Sequence, residues 1–408
     1  MFLWQKKTSA MSIKRAQEFL ESQKGMYPDC ADAYGRFEQL FQQKLWHQLG
    51  MAISEHLRAE PTRAVHHPGR ILDLYVRFVC EFSEKLNPLL FVEFAVAGVR
   101  DMDLKEPGAV DLALKHLREA VEHVKSRTEP DALSATVVAV AVSGDVCVAG
   151  GRLGEARTFL DEADATLQKV TGANPSVWAQ YYRVCAAYRK ARNEPEEFYR
   201  AGLCYLSYVV LADVPPQEQY ELARDLALAA LVGPATYNIG ELLASPICER
   251  LKDQASTPWL VPLLAAFNRG DSAEFQRLVA AARSDPACAG MVAALQRHEA
   301  VLTEKISILA LMELVFRQST TDGGRRIAFA DIAKEAGIPL DAVETLAIHS
   351  MALGLVRGTI DQVDQVFDVQ WVQPRVLDKT QLQTMIGMLD EWSNRISFAL
   401  DTLHQQQQ

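Results

Sequence analysis

The fold of this 408-residue chain is decided by residues 302–378, which read LTEKISILALMELVFRQSTTDGGRRIAFADIAKEAGIPLDAVETLAIHSMALGLVRGTIDQVDQVFDVQWVQPRVLD. The densely apolar run 302–316 predicts a helix, and Arg326-Ile327-Ala328 predicts a short strand. Apolar residues then recur at helical spacing in two further segments. The first of these helices should stop at Gly337 and the second at Gly354, because glycine commonly ends a helix.

A hairpin is predicted directly after the third helix. Its first strand lies around residues 356–360, and the polar segment 361–365 makes the turn. In the returning strand, apolar residues alternate with polar ones, as expected for a sheet with one buried face: Phe367, Val369 and Trp371. Helix, strand, helix, turn, helix and hairpin is the order of a winged helix.

The charge on the third helix of this module decides the first functional question. If Val343 and Leu346 face inward, the outward face carries no Lys or Arg and consists of Asp341, Glu344, Thr345, Ile348, His349 and Ala352. A helix that enters a DNA groove needs cationic and donor groups for phosphates and base edges. This face predicts a protein-docking module instead. A winged-helix nucleic-acid-binding regulator is the alternative from another class.

Composition favours the same interpretation. The net charge of −10 argues against nucleic acid and anionic membranes as partners. Seven dispersed cysteines form no CxxC pair, which is typical of reduced thiols in the cytoplasm or nucleus. The N-terminal residues 1–7 do not have the order of a secretory signal. The longest apolar run, residues 135–142, ends at Ser143-Gly144-Asp145 and is predicted to be too short to span a bilayer.

The chain before the winged helix predicts helical hairpins. Apolar helical segments are separated by turns, and between residues 130 and 270 these turns recur about every 40 residues, the period of a helix-hairpin repeat. Such hairpins stack to share a core. We therefore predict a mainly α fold: a right-handed, TPR-like solenoid followed by the winged helix and a C-terminal helix. The predicted segments are 1–172, 173–301, 302–377 and 378–408, with almost no strand outside the winged helix.

The last segment predicts one long helix, with Asp378 or Thr380 as its N-cap. Two rows of apolar residues repeat every seven positions: Leu382, Leu389, Ile396 and Leu403, and Met385, Trp392 and Ala399. This is a heptad pattern over about three repeats. The helix either folds back on its own domain or enters a bundle with partner helices. We favour the bundle, because the helix follows a completed module and would otherwise expose Trp392.

No motif in the sequence predicts chemistry. HEXXH and related metal-binding patterns are absent, and His116 and His123 lie too far apart on one helix to bind one metal. The glycine-rich run at 150–154 lacks the Gly-Lys-Ser/Thr ending of a phosphate loop and predicts a turn. No G-x-S-x-G elbow occurs. We predict no catalytic residue, metal site or cofactor, so the chain is not expected to be an enzyme.

The end of the quoted stretch carries a resemblance to a known family. Residues 358–364, GTIDQVD, and 371–378, WVQPRVLD, resemble the end of the PCI domain in the 26S proteasome non-ATPase regulatory subunit 13 family. This family belongs to the lid of the proteasome regulatory particle. Residues 263–271, LLAAFNRGD, are similar to the helical entry into that domain. The resemblance covers about the last 150 residues, and the run 371–378 favours this family over other PCI proteins.

The resemblance implies a scaffold that assembles with other proteins. It implies a hetero-oligomer with other lid subunits, PCI domains joined by sheet extension, a helical bundle, and neighbouring ubiquitin-receptor and deubiquitinase subunits. The expected interaction residues are Phe367, Val369 and Trp371 in the hairpin and Leu382, Met385, Leu389, Trp392, Ile396 and Leu403 in the last helix. The hairpin residues are alternatively core residues. A PCI scaffold of the signalosome or of translation initiation factor three is the alternative assembly.

Overall fold

The computed structural model describes residues 9–58, 69–129, 131–254, 257–319, 326–376 and 379–406. It divides into two compact units. Unit 1 comprises residues 1–193 and 204–209, and unit 2 comprises residues 194–203 and 210–408. A helical-repeat region precedes a winged helix in the chain, which confirms the predicted mainly α fold class. The four-segment division of the chain stays a prediction.

The described part of unit 1 consists mainly of helices. The glycine at position 151 has a φ of 73°, in the left-handed region that glycine reaches most easily, and it lies in the predicted turn at 150–151. The helices are α1 (Ser9–Met26), α2 (Ala31–Gln42), α3 (Trp46–Arg58), α4 (Arg70–Arg77), α5 (Pro88–Arg100), α6 (Ala109–Lys125), α7 (Ala132–Ala149), α8 (Leu153–Leu167) and α9 (Pro175–Ala191). Helix α10 (Pro195–Tyr208) contributes residues to both units.

Helix α7 lies at the centre of unit 1. It packs against α5, α6, α8 and α9, and nearly all its side chains are buried. Two of its hydroxyl groups bond within the helix: Thr136 Oγ1 donates to the Ala132 carbonyl and Ser143 Oγ donates to the Ala139 carbonyl. The helix continues through Ser143-Gly144-Asp145 and ends at Ala149, so the polar residues that end the apolar run do not end the helix. The helix has 18 residues and is long and apolar enough to cross a membrane, but 78% of it is buried within the protein, as in a core helix.

Unit 2 contains the remaining helices and the sheet. Its helices after α10 are α11 (Pro216–Val232), α12 (Gly240–Ala244), α13 (Leu260–Arg269), α14 (Ser272–Arg283), α15 (Ala289–Arg297), α16 (Glu299–Ser319), α17 (Phe329–Ala336), α18 (Val343–Ala352) and α19 (Lys379–Gln406). Helix α16 is the central element, because it packs against both the preceding helices and the winged helix. Helix α19 begins at Lys379, which places Thr380 inside the helix rather than at its N-cap, and Asp378 lies outside the described residues.

The turn at Gly270 allows α13 and α16 to approach closely. Gly270 ends α13 with a φ of 76°. A Cβ atom built on it would lie 2.3 Å from the backbone nitrogen of Ala310 in α16, a separation that no side chain tolerates. The next residue, Asp271, caps α14 by accepting a hydrogen bond from the Glu274 amide at 3.0 Å. The predicted turn therefore also fixes a helix contact.

The winged helix contains a three-stranded antiparallel sheet. Its strands are β1 (Arg326–Ala328), β2 (Val356–Asp361) and β3 (Val366–Val372), in the order β1-β3-β2. In the turn between β2 and β3, the Asp361 carboxylate accepts from the amides of Val363 and Asp364 at 3.1 Å. Within the described part of the chain, strands occur only in this module, as predicted.

Candidate interaction surfaces

The returning strand of the hairpin does not offer all its apolar residues to a partner. Phe367 is fully buried and Val369 nearly so, and both belong to the core of the winged helix. Their side chains are therefore unavailable for direct contact with another protein, which corrects their predicted role. Trp371 is different, because it is 39% exposed and the guanidinium of Arg357 lies 4.8 Å from its ring centre. Among the three hairpin residues, Trp371 alone remains a candidate contact.

The strand order also changes which strand can extend the sheet. Strand β3 lies in the middle, with β1 on one side and β2 on the other. Main-chain groups of a central strand are already paired, so another chain can add only at an edge. The three-residue β1 is short, whereas β2 offers six residues. Of the two edges, β2 is therefore the longer one at which another chain could extend the sheet.

Helix α18 has the charge pattern predicted for the third helix. Val343, Leu346, Ala347 and Ser350 are buried, and the exposed residues of the helix include Thr345 and Ile348. No Lys or Arg occurs between Val343 and Ala352. The Glu304 carboxylate lies 2.5 Å from Nδ1 of His349, and the Gln362 side chain donates to Glu344 at 3.1 Å. This surface offers carboxylates and apolar groups rather than the cations that bind phosphate.

Helix α19 exposes the predicted apolar residues. Leu382, Leu389 and Ile396 are exposed, Trp392 is 64% exposed, and Met385 is half-buried. The side chain of Leu403 lies outside the described residues. Two further apolar residues on this side, Ile386 and Leu400, are exposed as well. The heptad analysis missed them because it followed rows seven apart and did not include the i, i+4 neighbours.

Together these residues form one broad surface, which we call the apolar face of α19. At 3.6 residues per turn it covers roughly 160° of the helix, from Met388 to Ile386. A two-helix coiled coil needs only a narrow row of contacts, whereas a wider face can contact more than one helix. Exposed apolar surface of this size marks an interaction site.

The described residues contain no group of three or more His, Cys, Asp or Glu side chains that could hold a metal ion. His116 and His123 both lie on α6, where burial lowers the pKa of each imidazole. Burial raises the pKa of the thiols of Cys80, Cys147, Cys185 and Cys248 to about 11 or 12, so these cysteines remain protonated near neutral pH. The neutral, buried or half-buried histidines and cysteines are therefore typical of residues that pack within the fold.

Comparison with known proteins covers nearly the whole chain. The family described as PSD13 N-terminal repeats matches residues 33–264, and the PCI domain matches residues 290–371. The 26S proteasome non-ATPase regulatory subunit 13 of Dictyostelium discoideum is 32% identical over 393 residues, which is 96% of this chain and 97% of the relative. The chain belongs to the 26S proteasome non-ATPase regulatory subunit 13 family.

Two further relatives give the same result for the subunit 13 family. The non-ATPase regulatory subunit 13 homolog A of Arabidopsis thaliana is 33% identical over 386 residues, 94% of this chain and 96% of the relative. The regulatory subunit RPN9 of Saccharomyces cerevisiae is 30% identical over 376 residues, 90% of this chain and 91% of the relative. Translation initiation factor 3 subunit M of Emericella nidulans matches only 48% of this chain, at 27% identity.

In this member of the subunit 13 family, the core contains a buried lysine, Lys305, that the sequence patterns did not reveal. Lys305 of α16 is 1% exposed, and its Nζ donates to the carbonyl oxygens of Ala230, Leu231 and Gly233 at 2.7–3.0 Å. These carbonyls end helix α11, so the ammonium caps that helix. Burial lowers the pKa of Lys305 to about 7, and the Glu196 carboxylate opposes that shift. The sequence signal that could have indicated its burial is a single Lys within the apolar run 302–316.

A second buried cation, Arg375, lies in the 371–378 run on which the resemblance to the family rests. Arg375 Nη2 donates to Glu313 Oε2 of α16 at 2.8 Å, and Nη1 donates to the Asn268 carbonyl oxygen at 2.8 Å. The two charged side chains are only 12% and 14% exposed. Burial lowers the pKa of the Arg375 guanidinium, and Glu313 counteracts this effect. Sequence alone marked this run as characteristic without showing what it contacts.

Proposed function

We propose that this chain is a non-catalytic scaffold subunit of the proteasome regulatory-particle lid, and that it supports lid assembly and ubiquitin-dependent protein degradation. The observation that carries the proposal is similarity to proteasome regulatory subunits over almost the full length of the chain. The PCI match and the helical-repeat match support a scaffold, because stacked helical repeats form extended surfaces that suit protein contacts.

Two surfaces would connect the chain to other lid subunits in a hetero-oligomer. The first is the edge of β2, where a neighbouring PCI domain would extend the sheet through main-chain hydrogen bonds. The second is the apolar face of α19, which would enter a bundle of partner helices. Of the predicted interaction residues, Trp371, Leu382, Met385, Leu389, Trp392, Ile396 and Leu403 are kept in this proposal.

The proposed neighbours include the ubiquitin-receptor and deubiquitinase subunits of the regulatory particle. In this arrangement the chain contributes no chemistry of its own and holds other subunits in place. We propose the cytoplasm and the nucleus as its location. A nucleic-acid partner is disfavoured by the net charge of −10 and by the absence of cations on α18.

Co-purification tests the proposal directly. The tagged full chain and a truncation lacking residues 378–408 are isolated from the cells of origin, and the proteins recovered with each are identified by mass spectrometry. We expect lid and base subunits with the full chain and their loss with the truncation. A signalosome or ribosomal set would replace the proteasome assignment with another PCI assembly. Recovery of the full chain alone would contradict a scaffold function.

A further inference from the structure

The chain leaving the winged helix is held by Arg375 at two points. Its guanidinium binds the Glu313 carboxylate of α16 and the carbonyl oxygen of Asn268 in α13. A buried Arg that uses two donors on two separate helices has little freedom to move. Removing one partner of such a pair leaves a buried charge uncompensated, which is costly. Arg375 therefore fixes the path of the chain beyond β3.

The next residue, Val376, lies directly on the backbone of α12. A Cβ atom built on Gly240, the first residue of α12, would come within 2.8 Å of Val376 Cβ and 3.1 Å of its carbonyl oxygen. Only a glycine leaves space for Val376 at this point. Arg375 and Val376 thus form a pair of consecutive contacts, which we call the anchor.

The distance along the chain links the anchor to the terminal helix. Three residue steps separate Val376 from Lys379, where α19 begins. A chain advances at most about 3.6 Å per residue, so the start of α19 lies within about 11 Å of the anchored Val376. The anchor therefore limits the region in which the first turn of α19 can lie.

We infer that Arg375 and Val376 are positioning residues that set where α19 begins, and thereby how its apolar face is presented to partner helices. This inference rests on the proposed function, in which α19 binds other lid subunits. It goes further than that function. It predicts that an intact apolar face does not bind partner helices normally when the start of α19 is free to move. A short connection keeps the effective concentration of the helix at its binding site high, and a longer flexible one lowers it.

An insertion separates this role from a purely structural one. Six residues of alternating Gly and Ser are inserted between Val376 and Leu377 in the tagged full chain, which leaves both the anchor and α19 unchanged. The chain is expressed beside the untagged wild-type chain, and its share of purified lid is measured. We expect an unchanged melting temperature and a share lowered by about fivefold. An insertion chain that enters the lid as well as wild type overturns the inference.

Two glycine substitutions give an independent test. Gly240→Ala should displace Val376 and lower the share of the chain in the lid, whereas Gly290→Ala, where a new Cβ meets nothing within 4 Å, should not. If Gly240→Ala also lowers the melting temperature, its effect on lid entry could come from reduced stability. The insertion chain then tests the positioning role alone. If the truncation lacking residues 378–408 enters the lid normally, the proposed role of α19 in lid assembly is refuted. If the truncation fails to enter the lid while the insertion chain and Gly240→Ala enter normally, only the positioning role of the anchor is refuted.

Discussion

Helices α7 and α19 are both long, both carry many apolar residues, and they have opposite surroundings. Helix α7 is buried on nearly every side by α5, α6, α8 and α9. Helix α19 has a polar side and an apolar side, and the apolar side is exposed from Leu382 to Leu400. The comparison teaches that apolar content indicates only that other elements must cover part of a helix. The distribution of apolar residues around the axis indicates whether neighbours surround it or approach from one side.

The largest expected effect is a charge placed inside α7. Ala139 is fully buried, so Ala139→Asp would place an unpaired carboxylate in the core of unit 1. We expect a loss of more than about 4 kcal/mol in the free energy of unfolding, or no soluble protein. Leu133→Asp in the same helix is the control, because Leu133 is 47% exposed and its substitution should cost less than about 1 kcal/mol. Urea denaturation measures both. Equal losses would contradict the surrounded position of α7.

The same kind of change on α19 should affect assembly and spare the fold. Leu389→Asp with Trp392→Asp removes two exposed apolar residues. We expect the melting temperature of the isolated chain to stay within about 2 °C and its retention in the lid to fall by about 100-fold, because buried aromatic anchors dominate interfaces. Asn394→Asp, an exposed substitution outside the apolar face, is the control. A large loss of stability in the isolated chain would show that α19 packs on its own domain.

Lys305 sharpens the comparison, since it is a titratable amine in the core that is held by three carbonyl acceptors. Its pKa is lowered to about 7, so between about pH 7 and pH 10.5 the unfolded chain binds more protons than the folded one. Stability contributed by this group therefore rises with pH across that window. We expect the stability of wild type relative to Lys305→Met to increase by up to about 1.4 kcal/mol per pH unit. Urea denaturation between pH 7 and pH 9 checks this, and parallel profiles would contradict it.

The smallest expected effect concerns the Arg357–Trp371 contact. The guanidinium lies over an indole ring that is partly open to solvent, so the attraction is weak. Arg357→Ala should lower the free energy of unfolding by about 0.5–1 kcal/mol. Phe367→Ala, which opens a cavity in the same sheet, should cost about 3–5 kcal/mol. Thermal unfolding of the two variants distinguishes a surface contact from a core contact. A loss for Arg357→Ala as large as for Phe367→Ala would place Trp371 in the core.

The winged helix was predictable because its local signals agree with one another. The glycines at 337 and 354 stop helices where the periodicity ends, and both have positive φ values in the structure. The alternating residues of β3 have the expected buried and exposed faces as far as Val369. The order of the strands was not predictable from pairing signals alone, because a hairpin does not reveal that β1 joins its other edge.

The interaction residues were only partly predictable. Heptad spacing found most of the apolar face of α19, whose residues lie one turn apart on a single helix. It could not identify the anchor, since Arg375 and Glu313 are 62 positions apart and meet only after folding. Lys305 was missed for the same reason, because its three carbonyl partners lie more than 70 residues earlier in the chain.

By itself, the sequence determined the helical-repeat class, the winged helix, the absence of Lys and Arg from the outward face of its third helix and the heptad rows of α19. These features depend on the spacing of residues within one element, which periodicity reveals directly. Only the tertiary structure decided that Phe367 and Val369 are core, that β3 is a central strand, and that Arg375 and Val376 are fixed on other helices. Those facts depend on which distant segments come together, and no local pattern contains that information.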